Sequence, residues 1–258
     1  MPSSRIGTGF LISGAVVLLA SVLTSSTVLA FIGLGLAFWG GLFLFARPVK
    51  FVKSTILDST AASAYTTIDR ITEDLNYKGK PIYVPPYPKE GRLPEHLKGL
   101  KDMILFIPAE DTVSMPTIEE IVRKQFLLTN PKGICIAPPG YGIIGLFEAE
   151  LGTEFSQIDM NQLYSTLPKI IIDDLELAKE FEITPENDLI RIKTTGSVYS
   201  DLYSNEQNFK SIHTIGCPLT SAIACALAKT TGKLITIAKD AISSDLQTIE
   251  VWYKTLEV

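Results

Sequence analysis

The sequence contains little histidine, little cysteine and, over its first sixth, almost no charge. Its 258 residues include two histidines and three cysteines, and the cysteines form no Cys-x-x-Cys pair. A sparse, odd set of cysteines argues against a disulfide framework and favours a reducing compartment. Neither a metal site nor a bound cofactor is expected.

Clustered basic charge is also lacking. Residues 48–258 carry 21 basic and 28 acidic side chains, a net charge of −7. Phosphate binding requires clustered Lys and Arg, so nucleic acid is not expected as a partner. A G-x-x-x-x-G-K-[ST] phosphate loop is absent as well, which removes the commonest signature of a nucleotide-binding enzyme.

A long uncharged run is the strongest feature present. Residues 6–46 contain no Asp, Glu, Lys, Arg or His. One helix crosses a bilayer core with about 20 residues, so a run of this length predicts two spans. The polar stretch "LTSST" at 23–27 divides them at about 6–24 and 28–46. Residues 1–48 are therefore predicted to form a two-helix transmembrane hairpin with the lipid bilayer as its partner.

Two alternatives to the hairpin stay open. One is a cleaved signal peptide ending at Val28-Leu29-Ala30, and the other is a single long tilted span. The second apolar run and the basic residues that follow it argue against the signal peptide. Glycine in both predicted helices would allow their backbones to approach closely, and Trp39 and Phe45 approach the second interface. The glycines concerned are Gly7, Gly9, Gly14, Gly33, Gly35, Gly40 and Gly41.

The flanking charges predict an orientation. Arg5 precedes the first span, Arg47, Lys50 and Lys53 follow the second, and the connecting turn carries no charge. Positive residues remain preferentially on the cytoplasmic side. We therefore expect a multi-pass protein of the cell membrane with two spans, whose amino and carboxyl termini are both cytoplasmic.

The rest of the chain divides into three parts. Residues 49–76 have apolar side chains at helical spacing and predict an amphipathic connecting helix, either packed on its own domain or acting as a dimerising stalk. Residues 77–100 form a proline-rich arm, in which the run 79–99 is expected to be neither helix nor inner strand. Residues 101–258 predict a cytoplasmic α+β domain of irregular mixed α/β order.

Elements within this domain follow from periodicity and caps. Thr117 with Glu120, and Asp159, are predicted N-caps, Pro168 is expected to start or kink a second helix, and Gly232 ends the last helix. The last two strands are expected to pair antiparallel. Helices are predicted at 117–128, 161–181 and 221–233, and strands at 103–109, 133–137, 188–196, 234–239 and 248–258.

A G-x-G-x-x-G pattern occurs at Gly140, Gly142 and Gly145. A dinucleotide fingerprint requires a full helix, a second strand and then an acid after the loop. Here the following helical segment is short, and Glu148 and Glu150 would repel a pyrophosphate. The three glycines are therefore interpreted as a structural turn. The apolar stretch Tyr141–Phe147 is left open between core and interface, either an oligomer contact or a seat on the bilayer surface.

Among the residues of this sequence, Cys217 is the main candidate for a reactive side chain. Pro218 suits the first helical position, which places Cys217 at the N-cap, where the helix dipole lowers a thiol pKa. His213 is a possible base, although no nearby acid in the sequence would orient it. A catalytic pair of Cys217 and His213 thus stands beside the simpler interpretation of Cys217 as a small buried residue. A shared metal site that adds Cys135 is not favoured.

Three segments carry a resemblance. "GICIAPPGYGIIGLFEAELG", "LPKIIIDDLELAKEFEI" and "GCPLTSAIACALAKTTGK" together resemble an archaeal family of membrane-anchored proteins, a likeness that implies no activity. The last third is similar in layout to vinyl-reductase-type domains and related vesicle-tethering subunits, although their Cys-rich ending is absent. That similarity implies either a pocket for a small apolar ligand or an assembly platform.

Two classes of function follow from these observations. The first is a membrane-anchored binding, sensing or scaffold module that is non-catalytic and self-associating, as a homo-oligomer or with a membrane protein partner. The second is a cysteine-dependent enzyme, or a small-molecule-binding protein, that uses the region around Cys217.

Overall fold

The computed structural model describes residues 2–45, 54–86, 102–111, 126–204 and 209–256. The chain divides into two compact units, Met1–Val52 and Lys53–Val258. The first consists of two apolar helices, and the second combines helices with an antiparallel sheet. The mixed composition of α and β structure is the one expected for the second unit.

Two helices lie in the described part of the first unit. Helix α1 (Pro2–Thr24) and helix α2 (Thr27–Phe45) are separated by a turn. Ser25 has a φ of 50°, and the Ser21 hydroxyl donates to the Ser26 carbonyl at 2.9 Å. This turn falls in the polar stretch that the sequence marks as a break. Both helices are long and apolar enough to span a membrane.

The outer surface of this hairpin is apolar. Large hydrophobic side chains are more than half exposed on both helices, an arrangement suited to a hydrocarbon surrounding and unfavourable in water. Trp39 is 53% exposed and its ring centroid lies 6.0 Å from that of Phe43. The strongly exposed side chains include Ile12, Leu19, Leu23, Phe31 and Phe38.

Glycine determines how closely the two helices approach. A Cβ atom on Gly14 would lie 2.7 Å from the Ala37 nitrogen, and one on Gly40 would lie 2.7 Å from the Leu11 nitrogen. Close backbone approach at small residues is the usual packing of apolar helices in membranes. Gly7 and Gly33 belong to the same contact, whereas the remaining predicted glycines have open space around them: Gly9, Gly35 and Gly41.

Helix α3 (Ser54–Asp74) begins the second unit. Its apolar side packs on the main core through Leu57, Tyr65, Ile68 and Ile71, as the spacing predicts. Residues 49–53 of the expected helix lie outside the described residues. The interpretation of this segment as a connecting helix packed on its own domain agrees with these contacts.

Eight strands of the described residues form one sheet in the order β3-β4-β2-β1-β7-β8-β6-β5. Every neighbouring pair is antiparallel. The strands are β1 (Ile82–Val84), β2 (Ile104–Pro108), β3 (Leu127–Thr129), β4 (Lys132–Ile136), β5 (Glu180–Glu186), β6 (Leu189–Thr195), β7 (Leu234–Ile242) and β8 (Thr248–Leu256).

Strand β1 overturns one expectation. The proline-rich arm contains an inner strand, because β1 pairs with β2 on one side and with β7 on the other. Three residues fit between Pro81 and Pro85, so every backbone N–H within β1 is free to donate. Proline excludes a residue from an inner strand only at its own position. Residues 87–100 of the arm lie outside the described residues.

Two predicted helices also extend into what are strands. Residues 127 and 128 belong to β3 instead of a helix. Residues 117–125 of that prediction, including Thr117 and Glu120, lie outside the described residues. The helix predicted at 161–181 ends by residue 174, and Glu180 begins β5. The alternation of buried Phe181 between exposed glutamates is a strand pattern within an apparently helical run.

The described part of the second unit contains four further helices: α4 (Tyr141–Leu151), α5 (Met160–Lys169), α6 (Ile212–Ile215) and α7 (Pro218–Thr231). Asp159 caps α5 in a capping box with Gln162. Pro168 lies inside α5, and a π-helical turn follows directly after it. Gly232 ends α7 in the left-handed conformation with a φ of 64°. These caps agree with the sequence expectations.

Helices α3, α4, α5 and α7 share one core with the sheet. Tyr83 and Leu105 contribute to this core, whereas their strand neighbours Ile82 and Phe106 belong to a second cluster. Adjacent residues of a strand point to opposite faces, so the helices pack on one face of the sheet. The segment Ile212–Thr231 is also apolar enough to span a membrane, but it is 83% buried in this core.

Candidate functional site

Cys217 lies where the sequence places it. It is the N-cap of α7, and Pro218 is the first helical residue. The preceding Gly216 has a φ of 71°, and a Cβ atom there would lie 2.2 Å from the Thr220 hydroxyl oxygen. This turn is therefore closely packed on the side that faces the helix.

Tyrosine hydroxyls from distant parts of the chain converge on the turn. Tyr65 of α3 donates to the Gly216 carbonyl at 2.7 Å. Tyr83 of β1 donates to the Ile215 carbonyl. Both tyrosines are at most 1% exposed, and burial raises the pKa of each hydroxyl well above its ordinary value. These hydroxyls are neutral donors that hold the turn against α3 and the sheet.

Two further tyrosines hold the first turn of α7. The Tyr203 hydroxyl accepts from the Cys217 backbone N–H at 3.1 Å. Tyr253 of β8 donates to the Thr220 carbonyl at 2.9 Å. We call the four residues Tyr65, Tyr83, Tyr203 and Tyr253 the tyrosine cluster. These four tyrosines are far apart in the sequence, so only the tertiary structure shows that they cluster.

The Cys217 thiol is sealed within this cluster. It is 1% exposed, and the Thr220 hydroxyl lies 3.5 Å from its sulfur. Burial raises the pKa of the thiol, and the hydrogen bonds from Thr220 oppose that rise only in part. The direction is opposite to the one that a helix N-terminus alone would produce, because desolvation of the thiolate outweighs the dipole.

His213 has a different partner from the one considered in the sequence. Its Nδ1 atom lies 2.7 Å from an Asp240 carboxylate oxygen, and this hydrogen bond raises the pKa of the imidazole. The expectation that no acid orients His213 is therefore wrong, because Asp240 comes from β7, 27 positions along the chain. The ring of Tyr203 packs edge-on against that of His213 at 6.0 Å, and the described residues show no hydrogen bond between His213 and Cys217.

Cys135 is separated from the other two candidate ligands. It belongs to β4 and packs with the second cluster, whereas Cys217 belongs to the main core on the opposite face of the sheet. Within the described ranges no group of three or more His, Cys, Asp or Glu side chains is placed to hold a metal ion.

The three glycines of the G-x-G-x-x-G pattern have different roles. Gly140 is the N-cap of α4, and its N–H donates to the buried Ser221 hydroxyl at 3.0 Å. A Cβ atom on Gly140 would lie 2.1 Å from the Ala222 nitrogen, so the N-terminus of α4 directly contacts α7. Gly142 and Gly145 lie inside α4 with open space around them, so only Gly140 belongs to the expected turn.

Helix α4 also divides the apolar stretch that was left open between core and interface. Ile144 and Phe147 are buried in the main core. Tyr141 and Leu146 are 43% and 54% exposed. The stretch is therefore core on one side of the helix and exposed on the other, as helical periodicity requires.

A cleft lies beside the tyrosine cluster. Its volume is about 610 Å³, within the range of ligand pockets. Its lining comes from the second half of α3, the segment that leads into β1, and residues 210–215. Ile68, Tyr77, Ile107 and Ile215 provide apolar surface. We call this the α3 cleft.

Charged groups line the rim of the α3 cleft. Asp69 accepts the backbone N–H groups of Lys210 at 2.9 Å and Ser211 at 2.7 Å. The Lys210 ammonium lies 2.7 Å from a Glu73 carboxylate oxygen. The Ser211 hydroxyl is buried and has no hydrogen-bond partner, which is rare for a buried polar group. The cleft thus combines an apolar surface, a charged rim and one unsatisfied hydroxyl.

Comparison with known proteins gives one match. A family model described as a domain of unknown function (DUF7982) matches residues 3–253. No curated protein and no solved structure matches the chain. The match extends over the apolar hairpin and the sheet domain, so both belong to the same family unit.

Proposed function

We propose that this chain, which belongs to the DUF7982 family, is a non-catalytic, membrane-anchored binding module that holds its ligand in the α3 cleft. The observation that carries the proposal is the cleft itself, with its apolar surface, charged rim and unsatisfied Ser211 hydroxyl. Its volume is within the range of small-molecule sites.

The burial of Cys217 supports a non-catalytic role. A nucleophilic cysteine needs thiolate character and access for a substrate. Cys217 has a raised pKa and 1% exposure, and His213 is hydrogen-bonded to Asp240. The cysteine-dependent enzyme, which was the second hypothesis from the sequence, is therefore the less favoured of the two.

The chemistry of the cleft suggests the kind of ligand. Its apolar residues favour a ligand with an apolar body, and its charged rim favours a polar group at one end of that ligand. The expected resemblance of the last third of the chain to vinyl-reductase-type domains would imply either a small apolar ligand or an assembly platform, and the proposal takes the first. In this proposal the hairpin retains the module at the membrane with the sheet domain in the cytoplasm.

A substitution that fills the α3 cleft with a large side chain tests the proposal. Thr72 lines the α3 cleft, whereas Thr67 of the same helix is exposed outside its lining, and both hydroxyls donate to the carbonyl four residues earlier. We expect Thr72→Trp to abolish the co-purification of the ligand from a mild detergent extract, and Thr67→Trp to retain it. Native mass spectrometry of the purified proteins measures both. Identical small molecules in both variants, or none in the wild type, would contradict binding in this cleft.

A further inference from the structure

We propose that the α3 cleft binds an amphiphile with an anionic oxygen head group, a carboxylate or a phosphate, and that Lys78 and Asn76 hold this head group. The inference rests on the proposed function, because it names the class of ligand for the same cleft. Lys78 and Asn76 both line the cleft together with Ile68 and Tyr77. A head group on the first two residues would leave the apolar body of the ligand to contact the other two.

The acidic groups of the cleft already have partners within the chain. Asp69 accepts the backbone N–H groups of Lys210 at 2.9 Å and Ser211 at 2.7 Å. The Lys210 ammonium donates to a Glu73 carboxylate oxygen at 2.7 Å. These contacts join α3 to the segment before α7, and the second also neutralises Lys210. A cationic ligand would have to compete with one of these contacts, whereas an anionic ligand would leave both in place.

Lys78 is the charged residue of the cleft lining that has no such partner. Over the described ranges its ammonium forms no ion pair, and the Asn76 side chain forms no hydrogen bond. The backbone at this point is fixed, because Lys78 N–H donates to the Ala109 carbonyl at 3.1 Å and Gly79 N–H to the Pro108 carbonyl at 3.2 Å. The Lys78 side chain is therefore held at the cleft and is available to a ligand.

The hydrogen-bonding groups of Lys78 and Asn76 determine the chemistry of the head group. An ammonium has three donor hydrogens and no acceptor, and a side-chain amide has two donors beside its one acceptor oxygen. The hydroxyls of Thr72 and Thr214 already donate to carbonyls of their own segments. A carboxylate or phosphate oxygen accepts several hydrogen bonds, and charged pairs form the stronger ones. The cleft therefore favours a negatively charged acceptor attached to an apolar body.

Photolabelling tests the sign of the ligand charge. The full-length protein in mild detergent is irradiated with a diazirine derivative of dodecanoic acid and, in parallel, with the corresponding primary amine. Peptide mass spectrometry locates the label. We expect the acid to label the cleft lining at residues 68–81 and 210–215, and excess dodecanoate or dodecyl phosphate to compete, the stronger competitor identifying the head group. Lys78→Met should reduce labelling on the order of tenfold, and Lys78→Arg should largely retain it. Lys80→Met, which removes an exposed lysine outside the lining, is the matched control.

Two results would overturn this inference and leave the proposed function intact. One is stronger labelling of the cleft by the amine than by the acid. The other is equal labelling by the acid in the wild type and in Lys78→Met, a variant of an exposed residue that should fold. A different result would overturn both proposals: neither probe labels the cleft lining, or Thr72→Trp leaves the labelling unchanged.

Discussion

Single residues in this protein are constrained by contacts that the local sequence does not show. Gly140, Gly142 and Gly145 look equivalent in the sequence, yet only Gly140 contacts another helix backbone. Cys217 has the sequence environment of a reactive thiol but the surroundings of a core residue. Each case yields a prediction in which one residue is compared with a neighbour of the same type.

The first residue-scale prediction compares two glycines. We expect Gly140→Ala to destabilise the protein by about 3 kcal/mol, because the new methyl group would overlap the backbone of α7. Gly145→Ala should stabilise it by roughly 0.5–1 kcal/mol, since alanine favours an exposed helical position with open space. Thermal unfolding in mild detergent measures both. Equal effects of the two substitutions would contradict the close contact between Gly140 and the backbone of Ala222.

The second residue-scale prediction concerns thiol reactivity. In the folded protein, iodoacetamide should label partly exposed Cys135 first and the buried Cys217 and Cys225 more slowly, on the order of tenfold or more. Peptide mass spectrometry measures the order, and denatured protein, in which all three react, is the control. Rapid labelling of Cys217 near neutral pH would instead support the enzyme hypothesis.

The sequence predicts helices and strands correctly where the periodicity of apolar residues is strong. It fails where an element is short or where its residues fit both helical and strand spacing. The long strands β6, β7 and β8 and the capped helix α7 follow from the sequence. Strand β1 has three residues between prolines, and β5 begins within a run that also has helical spacing. In both places the partner strand supplies the hydrogen bonds that decide the conformation.

Helix α4 gives the element-scale prediction. Its outer side exposes Tyr141 and Leu146 beside two glycines, which would allow a second copy of the chain to approach closely. We expect Leu146→Gln to weaken self-association in mild detergent by roughly tenfold, the equivalent of about 1.4 kcal/mol. Leu127→Gln, which removes a similarly exposed leucine from β3, is the matched control.

Light scattering coupled to gel filtration measures this association over a range of protein concentrations. A monomeric wild-type protein, or equal losses in both leucine variants, would contradict an interface on α4.

The whole molecule combines an apolar helical hairpin with a mixed α and antiparallel β unit. The hairpin carries large exposed apolar side chains, whereas the second unit buries its apolar residues between helices and sheet. These opposite distributions are those expected for a lipid-facing and a water-facing unit. The basic residues that flank the two predicted spans predict the orientation of the protein in the membrane.

The prediction at this scale concerns topology. A C-terminal epitope should resist protease added to intact spheroplasts and be cleaved after permeabilisation, because the basic residues around both spans are retained on the cytoplasmic side. An immunoblot of the epitope measures this outcome, with a known cytoplasmic protein as a control for leakage. Cleavage from outside intact cells, or release of the protein by alkaline carbonate, would contradict the two-span arrangement.

The sequence alone determined the features that depend on neighbouring residues. The apolar hairpin with its break at the polar turn, the caps Asp159, Cys217 and Gly232, and the long terminal strands all follow from local periodicity and local hydrogen bonds. These interactions act between residues a few positions apart, so their pattern is visible in the printed chain.

Tertiary structure decided the features that join distant segments. The tyrosine cluster, the partner of His213 and the α3 cleft bring together residues from α3, the sheet and the segment before α7. Burial and charge at these sites depend on what packs around each group. No local pattern records that information, because the free energy of desolvation is set by the folded surroundings.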